Sequence, residues 1–157
     1  MELLDGGNLS SRLLAGPLPE SYAFSVLKPI LECLSYLHSK DIVHRDLKPT
    51  NVMFKQVIKG EPAMDIVKVI DFGLCADLND KSDESLLHDK SGTVGYLAPE
   101  LIAMTKKSGF YDSKIDVFSA GVVFYETLAG KCPFKAKNYK DSMHLNYKCD
   151  LDIRSLN

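Results

Sequence analysis

Several features that would point to a particular partner or compartment are missing from this chain. Lysine and arginine are scattered and form no run, and the formal net charge is -2. Neither nucleic acid nor an anionic membrane surface is therefore an expected partner. The four cysteines, Cys33, Cys75, Cys132 and Cys149, form no CxxC pair and have no histidine at zinc spacing, which excludes the common structural zinc patterns. Separated thiols of this kind read as reduced and mostly buried, in a cytoplasmic or nuclear protein. Cys75 lies near the residues singled out below, so a redox role for it stays open. No basic segment precedes an apolar one after Met1, and no signal peptide is expected. The most apolar stretch, Ile115 to Leu128, carries Asp116 and Glu126 and is too short to span a bilayer. No repeat or low-complexity tract occurs.

What is present is the composition of a soluble intracellular globular domain: 157 residues, 45% hydrophobic and 25% charged, enough for one domain with a real core. Ser10 to Leu14 predicts a short helix closed by Gly16 and Pro17. Pro19 and Glu20 open a longer one, since proline suits the first helical position and an acid the first turn. Leu27, Ile30, Leu31, Leu34 and Leu37 give it an apolar face. Pro29 inside it removes a backbone donor and predicts a kink or early break. Val52 to Phe54 and Ile66 to Ile70 read as strands, with Gly60, Glu61 and Pro62 at a turn between them. Asp77 to Ser91 reads as a long polar loop. Asp112 or Ser113 caps a helix from Lys114 to Ala129 that is apolar almost all round and so belongs mid-core. Gly130 ends it and Pro133 prevents its restart. Asn138 to Tyr147 is a further helix candidate. The layout is α+β, mainly α.

Three segments carry the chemistry. The first is His44-Arg45-Asp46-Leu47-Lys48-Pro49-Thr50-Asn51. The second is Asp71-Phe72-Gly73, and the third is Ala98-Pro99-Glu100. The first matches the protein-kinase catalytic loop at every specified position, and all three occur in that family's order. The chain resembles a eukaryotic-type protein kinase, and Lys48 and Thr93 are of the Ser/Thr type.

The residue types suit the chemistry implied. Phosphoryl transfer needs positioning and charge neutralisation more than covalent work by the protein. Asp46 supplies a catalytic base beside the attacking hydroxyl. Lys48 supplies a cation near the transferring group. Asn51 and Asp71 offer hard oxygen ligands for Mg²⁺. Gly73 gives the backbone freedom for Asp71 to swing.

The resemblance implies more. Residues 1-157 correspond to a partial kinase domain running from the hinge to about the G helix. This is a C-lobe, with a helical core and a small β-hairpin carrying the catalytic loop, and the N-lobe is absent. The implied ligands are ATP and Mg²⁺ and the implied partner is a protein substrate. Glu2 and Leu4 would bond adenine through their backbones, Asn8 belongs to the same nucleotide-binding stretch, and Met53 and Leu9 would form the apolar floor. His44 and Phe72 look like members of a stacked spine. Asp116 matches the buried helix Asp that pins the catalytic-loop backbone, and Thr93 the threonine that bonds the catalytic Asp and Lys.

In the activation segment, Asp89, Ser91 and Thr93 are singled out. Asp89 stands where many kinases carry a phosphorylated residue, and would supply charge to Arg45. The alternative keeps Asp89 in water, with Ser91, Ser85 or Ser82 as the phosphosite. Asn8 and Thr50 stand uncharged where Arg-selecting kinases often carry acids, so no strong preference for basic substrates is expected.

The chain also departs from the family. No Gly-rich loop, strand Lys or helix Glu is found, so the absent N-lobe would be required for activity. Glu100 normally pairs with an Arg, but Arg12, Arg45 and Arg154 do not match its place. A buried, unpaired Glu100 would be destabilising. Two readings follow: part of an active kinase, closest to the calcium/calmodulin-dependent-like group, or a non-catalytic C-lobe binding module or truncated inactive product. A small-molecule kinase is a third, opposed by Gly92-Thr93 and Ala98-Pro99-Glu100.

Overall fold

The computed structural model describes residues 2-55, 66-80, 91-104, 111-151 and 153. Its first helix, α1 (Leu9–Leu13), starts where the Asn8 side chain accepts a hydrogen bond from Ser11 N at 2.8 Å. That bond satisfies one of the backbone donors a helix start leaves open. Helix α2 (Glu20–His38) follows and turns Ala23, Val26, Ile30, Leu34 and Leu37 inward. Pro29 lies within α2 without ending it. The helix holds through the lost donor because Val26, Ile30 and Leu34, on either side of Pro29, are all locked into the core.

Two small antiparallel sheets come next. Strand β1 (Ile42–Val43) pairs with β4 (Ala76–Asp77), and β2 (Val52–Lys55) pairs with β3 (Ile66–Val69). In the second sheet Val52 faces Val69 and Phe54 faces Val67. Alternation puts Val52 and Phe54 inside while Met53 and Lys55 lie partly open. The turn region with Gly60, Glu61 and Pro62 lies outside the described residues, as does most of the polar loop after Asp80.

Helix α3 (Pro99–Ala103) begins with proline at its first position, where the missing donor costs nothing. Helix α4 (Lys114–Ala129) is the central element, burying Ile115, Asp116, Ser119, Ala120, Val122, Val123, Tyr125 and Thr127. Ser113 holds the N-cap position without a side-chain bond, and Asp112 Oδ1, one residue earlier, accepts from Lys114 N at 2.8 Å. Gly130 closes α4 in the left-handed region at φ 70°, a conformation glycine adopts without a Cβ clash. Helix α5 (Tyr139–Lys148) is capped by Asn138.

Helices α2 and α4 pack on each other, and β3 lies against α2. One apolar cluster joins Leu9, Ile30, Leu34, Leu47, Phe54 and Val123. Each such large side chain contributes about 1.5–3 kcal/mol on full burial. A second cluster gathers Val43, Ala76, Leu97, Leu101, Tyr111 and Ile115. The segment from His44 to Asn51 follows Val43 of the second cluster and contributes Leu47 to the first. Five helices and two small sheets among the described residues make the fold α+β and mainly helical. Among the described residues no helix is long and apolar enough to cross a membrane.

Candidate active site

Asp116 sets the backbone of the loop after β1. It is wholly buried on α4, and its two carboxylate oxygens accept from His44 N at 2.8 Å and Arg45 N at 2.9 Å. His38, at the end of α2, donates from Nε2 to the same carboxylate at 2.9 Å. These donors compensate the burial of its charge. Arg45 is held at φ 68°, a conformation costly for a side-chain-bearing residue and maintained here by its surroundings. Its guanidinium donates to Tyr111 Oη at 2.8 Å.

His44 is buried with both ring nitrogens engaged. Nδ1 accepts from Asp46 N at 3.3 Å, so the ring proton belongs on Nε2, which faces Ile70 O at 3.1 Å. The Phe72 ring meets His44 edge-on, with centroids 5.3 Å apart.

Asp46, 7% exposed, is the centre of a polar network. Lys48 Nζ donates to its Oδ2 at 2.6 Å and to Thr93 Oγ1 at 2.9 Å. Thr93 Oγ1 donates in turn to Asp46 Oδ1 at 2.6 Å. Asn51 Nδ2 donates to Asp46 O at 2.9 Å. The Asn51 amide nitrogen is thus spent, and its oxygen makes no hydrogen bond to a described residue. Asp71 is exposed, stands at φ 65°, and among the described residues accepts only a long bond from Gly73 N at 3.3 Å. An amide oxygen and a carboxylate with little else to bind fit a hard divalent cation such as Mg²⁺. Among the described residues no group of three His, Cys, Asp or Glu could hold a metal by itself.

Thr93 is anchored from behind. Gly92 has φ +132°, and a Cβ there would lie 2.6 Å from Leu97 Cδ2 and 2.8 Å from Arg45 O. Only glycine lets this segment lie against the catalytic-loop backbone. Asn146 on α5, fully buried, accepts from Gly95 N at 2.8 Å and donates to Leu97 O at 2.7 Å. Ser119 donates to Tyr96 O at 2.7 Å. Tyr96 Oη donates to Glu126 Oε2 at 2.5 Å. Burial pushes the Tyr96 phenol up, and burial likewise raises the Glu126 carboxyl despite the Tyr96 bond and nearby Lys135. Sequence reasoning missed His38, Tyr111, Asn146 and the Tyr96–Glu126 pair, which no local pattern signals.

Residues 2-8 run beside β2. Gly6 N bonds Phe54 O at 2.8 Å, Phe54 N bonds Gly7 O at 2.9 Å, and Asn8 bridges Met53. The structure therefore brings Asn8 and Met53 together, with Met53 partly exposed. The Asn8 side chain is committed to capping α1. Glu2 is exposed and pairs with Lys55 at 2.7 Å, and Leu4 is half-buried. Leu9 has no exposed surface, so it belongs to the core and not to a ligand-facing floor. Ser91 is half-buried. Asp89, Ser85 and Ser82 lie outside the described residues. Glu100 is exposed, which removes the expected destabilisation: water solvates its carboxylate. Cys75 is half-buried, and burial pushes its thiol up to about 11, so no reactive thiolate stands beside the site at neutral pH.

The family model for the protein kinase domain matches residues 1–156. The chain belongs to the protein kinase family. Curated relatives include CBL-interacting serine/threonine-protein kinase 20 of Arabidopsis thaliana, 37% identical over 95% of this chain and 33% of its own length. CBL-interacting protein kinase 4 of Oryza sativa subsp. japonica is 40% identical over 98% of the chain and 32% of its own length. Calcium-dependent protein kinase 3 of Plasmodium yoelii yoelii is 39% identical over 92% of the chain and 24% of its own length. The chain spans a third or less of the length of these relatives.

Proposed function

We propose that residues 1-157 are the C-lobe part of a kinase domain, from the hinge to about the G helix. In the longer protein they would transfer the γ-phosphate of ATP to Ser or Thr of a protein substrate. The observation that carries this reading is the closed network of Asp46, Lys48 and Thr93, with Asn51 bonded to the Asp46 carbonyl. Relatives named as serine/threonine-protein kinases support the substrate class.

Each residue has a defined task. Asp46 orients the substrate hydroxyl and takes its proton as the oxygen attacks. Lys48 and Thr93 hold the two Asp46 oxygens in place, and Lys48 adds positive charge where negative charge develops. Asn51 and Asp71 would hold Mg²⁺, which when bound neutralises phosphate charge and orients the leaving group. Backbone groups of Glu2 and Leu4, with Asn8 and Met53, would receive the adenine end. The Gly-rich loop, strand Lys and helix Glu are assigned to polypeptide outside these residues. Asp89 is proposed to supply charge to Arg45, with Ser91, Ser85 or Ser82 as the phosphosite in the alternative; unchanged activity in Asp89→Ala would remove the first. The intact donor set favours catalysis over a purely binding role.

The test is calorimetry of ATP and Mg²⁺ on the purified longer protein that contains residues 1-157, paired with transfer of labelled γ-phosphate to a Ser peptide. Asp71→Ala should abolish nucleotide binding and Asp46→Asn should abolish transfer while binding persists. Transfer by Asp46→Asn at the wild-type rate would overturn the assignment of the base.

A further inference from the structure

Helix α5 buries two of its side chains, Ser142 and Asn146, and both are polar. A helix that docks on a core normally does so with an apolar face. Asn146 has no exposed surface, and burying an amide is costly unless its polar atoms find partners. Those partners are not on its own helix. Asn146 Oδ1 accepts from Gly95 N at 2.8 Å, and its Nδ2 donates to Leu97 O at 2.7 Å. Ser142, by contrast, is committed close by, donating to Asn138 O at 3.0 Å and accepting from Ala136 N at 2.9 Å.

One side-chain amide thus takes a donor and an acceptor from a single stretch of backbone, on either side of Tyr96. This sets the register of the segment as well as its distance from α5. The backbone groups of Tyr96 between them are already engaged: its N donates to Thr93 O at 3.0 Å and its O accepts from Ser119 Oγ at 2.7 Å.

The segment held in this way carries Thr93. The bond from Tyr96 N to Thr93 O closes a turn, which ties Thr93 to the anchored residues. A Cβ on Gly92 would stand 2.6 Å from Leu97 Cδ2, so the place of Leu97 is also felt one residue before Thr93. Thr93 Oγ1 in turn donates to Asp46 Oδ1 at 2.6 Å and accepts from Lys48 Nζ at 2.9 Å. A backbone turn and a side-chain contact therefore both lead from Asn146 toward the Asp46 carboxylate.

We propose that Asn146 is a positioning residue for phosphoryl transfer, holding Gly95 and Leu97 so that the Thr93 hydroxyl stays on Asp46. The inference rests on the kinase reading for the role of Asp46 and extends it to a residue whose own bonds go to backbone. Its physical basis is the sensitivity of a chemical step to placement, where a shift of about 1 Å can cost about a hundredfold in rate. A purely structural Asn146 makes a different forecast. Its loss would lower the fraction folded and leave the rate per folded molecule untouched, whatever stands at residue 93.

The test is a double-mutant cycle on the longer protein that contains residues 1-157. The readout is single-turnover transfer of labelled γ-phosphate to a Ser peptide, per folded molecule, so that product release does not mask the chemical step. Asn146→Leu removes both bonds and fills the space with an apolar side chain. Asn146→Asp keeps the shape and the acceptor for Gly95 N, loses the donor to Leu97 O, and serves where the leucine variant does not fold. Either substitution should lower the transfer rate by about tenfold with ATP affinity unchanged. In a Thr93→Val background the same substitution should lower it by less than about twofold, because the bond it acts through is already gone. A full rate in a folded Asn146 variant, or an equal loss in both backgrounds, overturns the proposal and leaves the kinase reading standing. A wild-type protein that transfers no phosphate removes the kinase reading, and the role of Asn146 falls with it.

Discussion

Thr93 Oγ1 lies 2.6 Å from Asp46 Oδ1 although 47 positions separate them in the chain. The bond holds Oδ1, while Lys48 Nζ, itself bonded to Thr93 Oγ1, holds Oδ2. Both oxygens are thereby held in place, and on the proposed role of Asp46 as base little reorganisation would remain for the chemical step. Thr93→Val keeps the shape and removes the hydroxyl. It should lower kcat by about 10- to 100-fold and cost about 1 kcal/mol of stability. Thr93→Ser should retain most of the rate. Steady-state kinetics on a Ser peptide checks both.

Asp116→Asn replaces one carboxylate oxygen by a donor that faces a backbone N–H. The buried side chain then cannot accept from both His44 N and Arg45 N. The expected loss is about 3 kcal/mol, in the range for breaking a buried charged network. Urea unfolding of wild type and variant measures it.

Glu126 sets a pH dependence with a definite sign. Burial raises its carboxyl above the ordinary 4.5 in the folded state, so the native protein holds the proton to higher pH than the unfolded chain. Stability from this group is present at low pH and falls as pH rises through the raised value. Glu126→Gln keeps an acceptor for Tyr96 and removes the titration. Relative to wild type it should gain stability as pH rises from the ordinary 4.5 through the raised value. Thermal melts across that range give the sign directly.

The cysteines should separate by alkylation rate. Cys149 is exposed. Cys33, Cys75 and Cys132 are half-buried, and burial is the main cause holding each thiol above its ordinary value. With Cys75 at about 11, about one molecule in three thousand carries its thiolate near pH 7.5. Iodoacetamide followed by peptide mass mapping should find Cys149 modified first and Cys75 among the slow ones. Rapid modification of Cys75 would reopen a redox role.

Legibility in the sequence followed the range of the forces involved. Helix α4 was readable to the residue because its signals are local: Asp112 before it, apolar residues through it and Gly130 after it. The strands β2 and β3 were readable from composition. The residues at the site were readable because a single run, His44 to Asn51, carries most of them. Strands β1 and β4, each two residues long, are too short to show a period. Pro29 misled because local propensity was overridden by packing on both sides of it. Glu100 misled because burial is a tertiary property. Asn146 and His38 act on segments 51 and 78 positions away, and nothing in their own neighbourhoods announces it.

The grip of Asp116 on two successive amides has a consequence for how the protein is made. His44 stands 72 positions before it, so the loop that carries Asp46 is not fixed until α4 has docked. Closing so long a loop costs entropy that only the finished core repays. Chain that has emerged as far as Asn51, or that has collapsed without α4 in place, holds every residue of the octet and none of its geometry. On the proposed reading of Asp46 as a base, a nascent or misfolded copy would be kept silent until the core is complete.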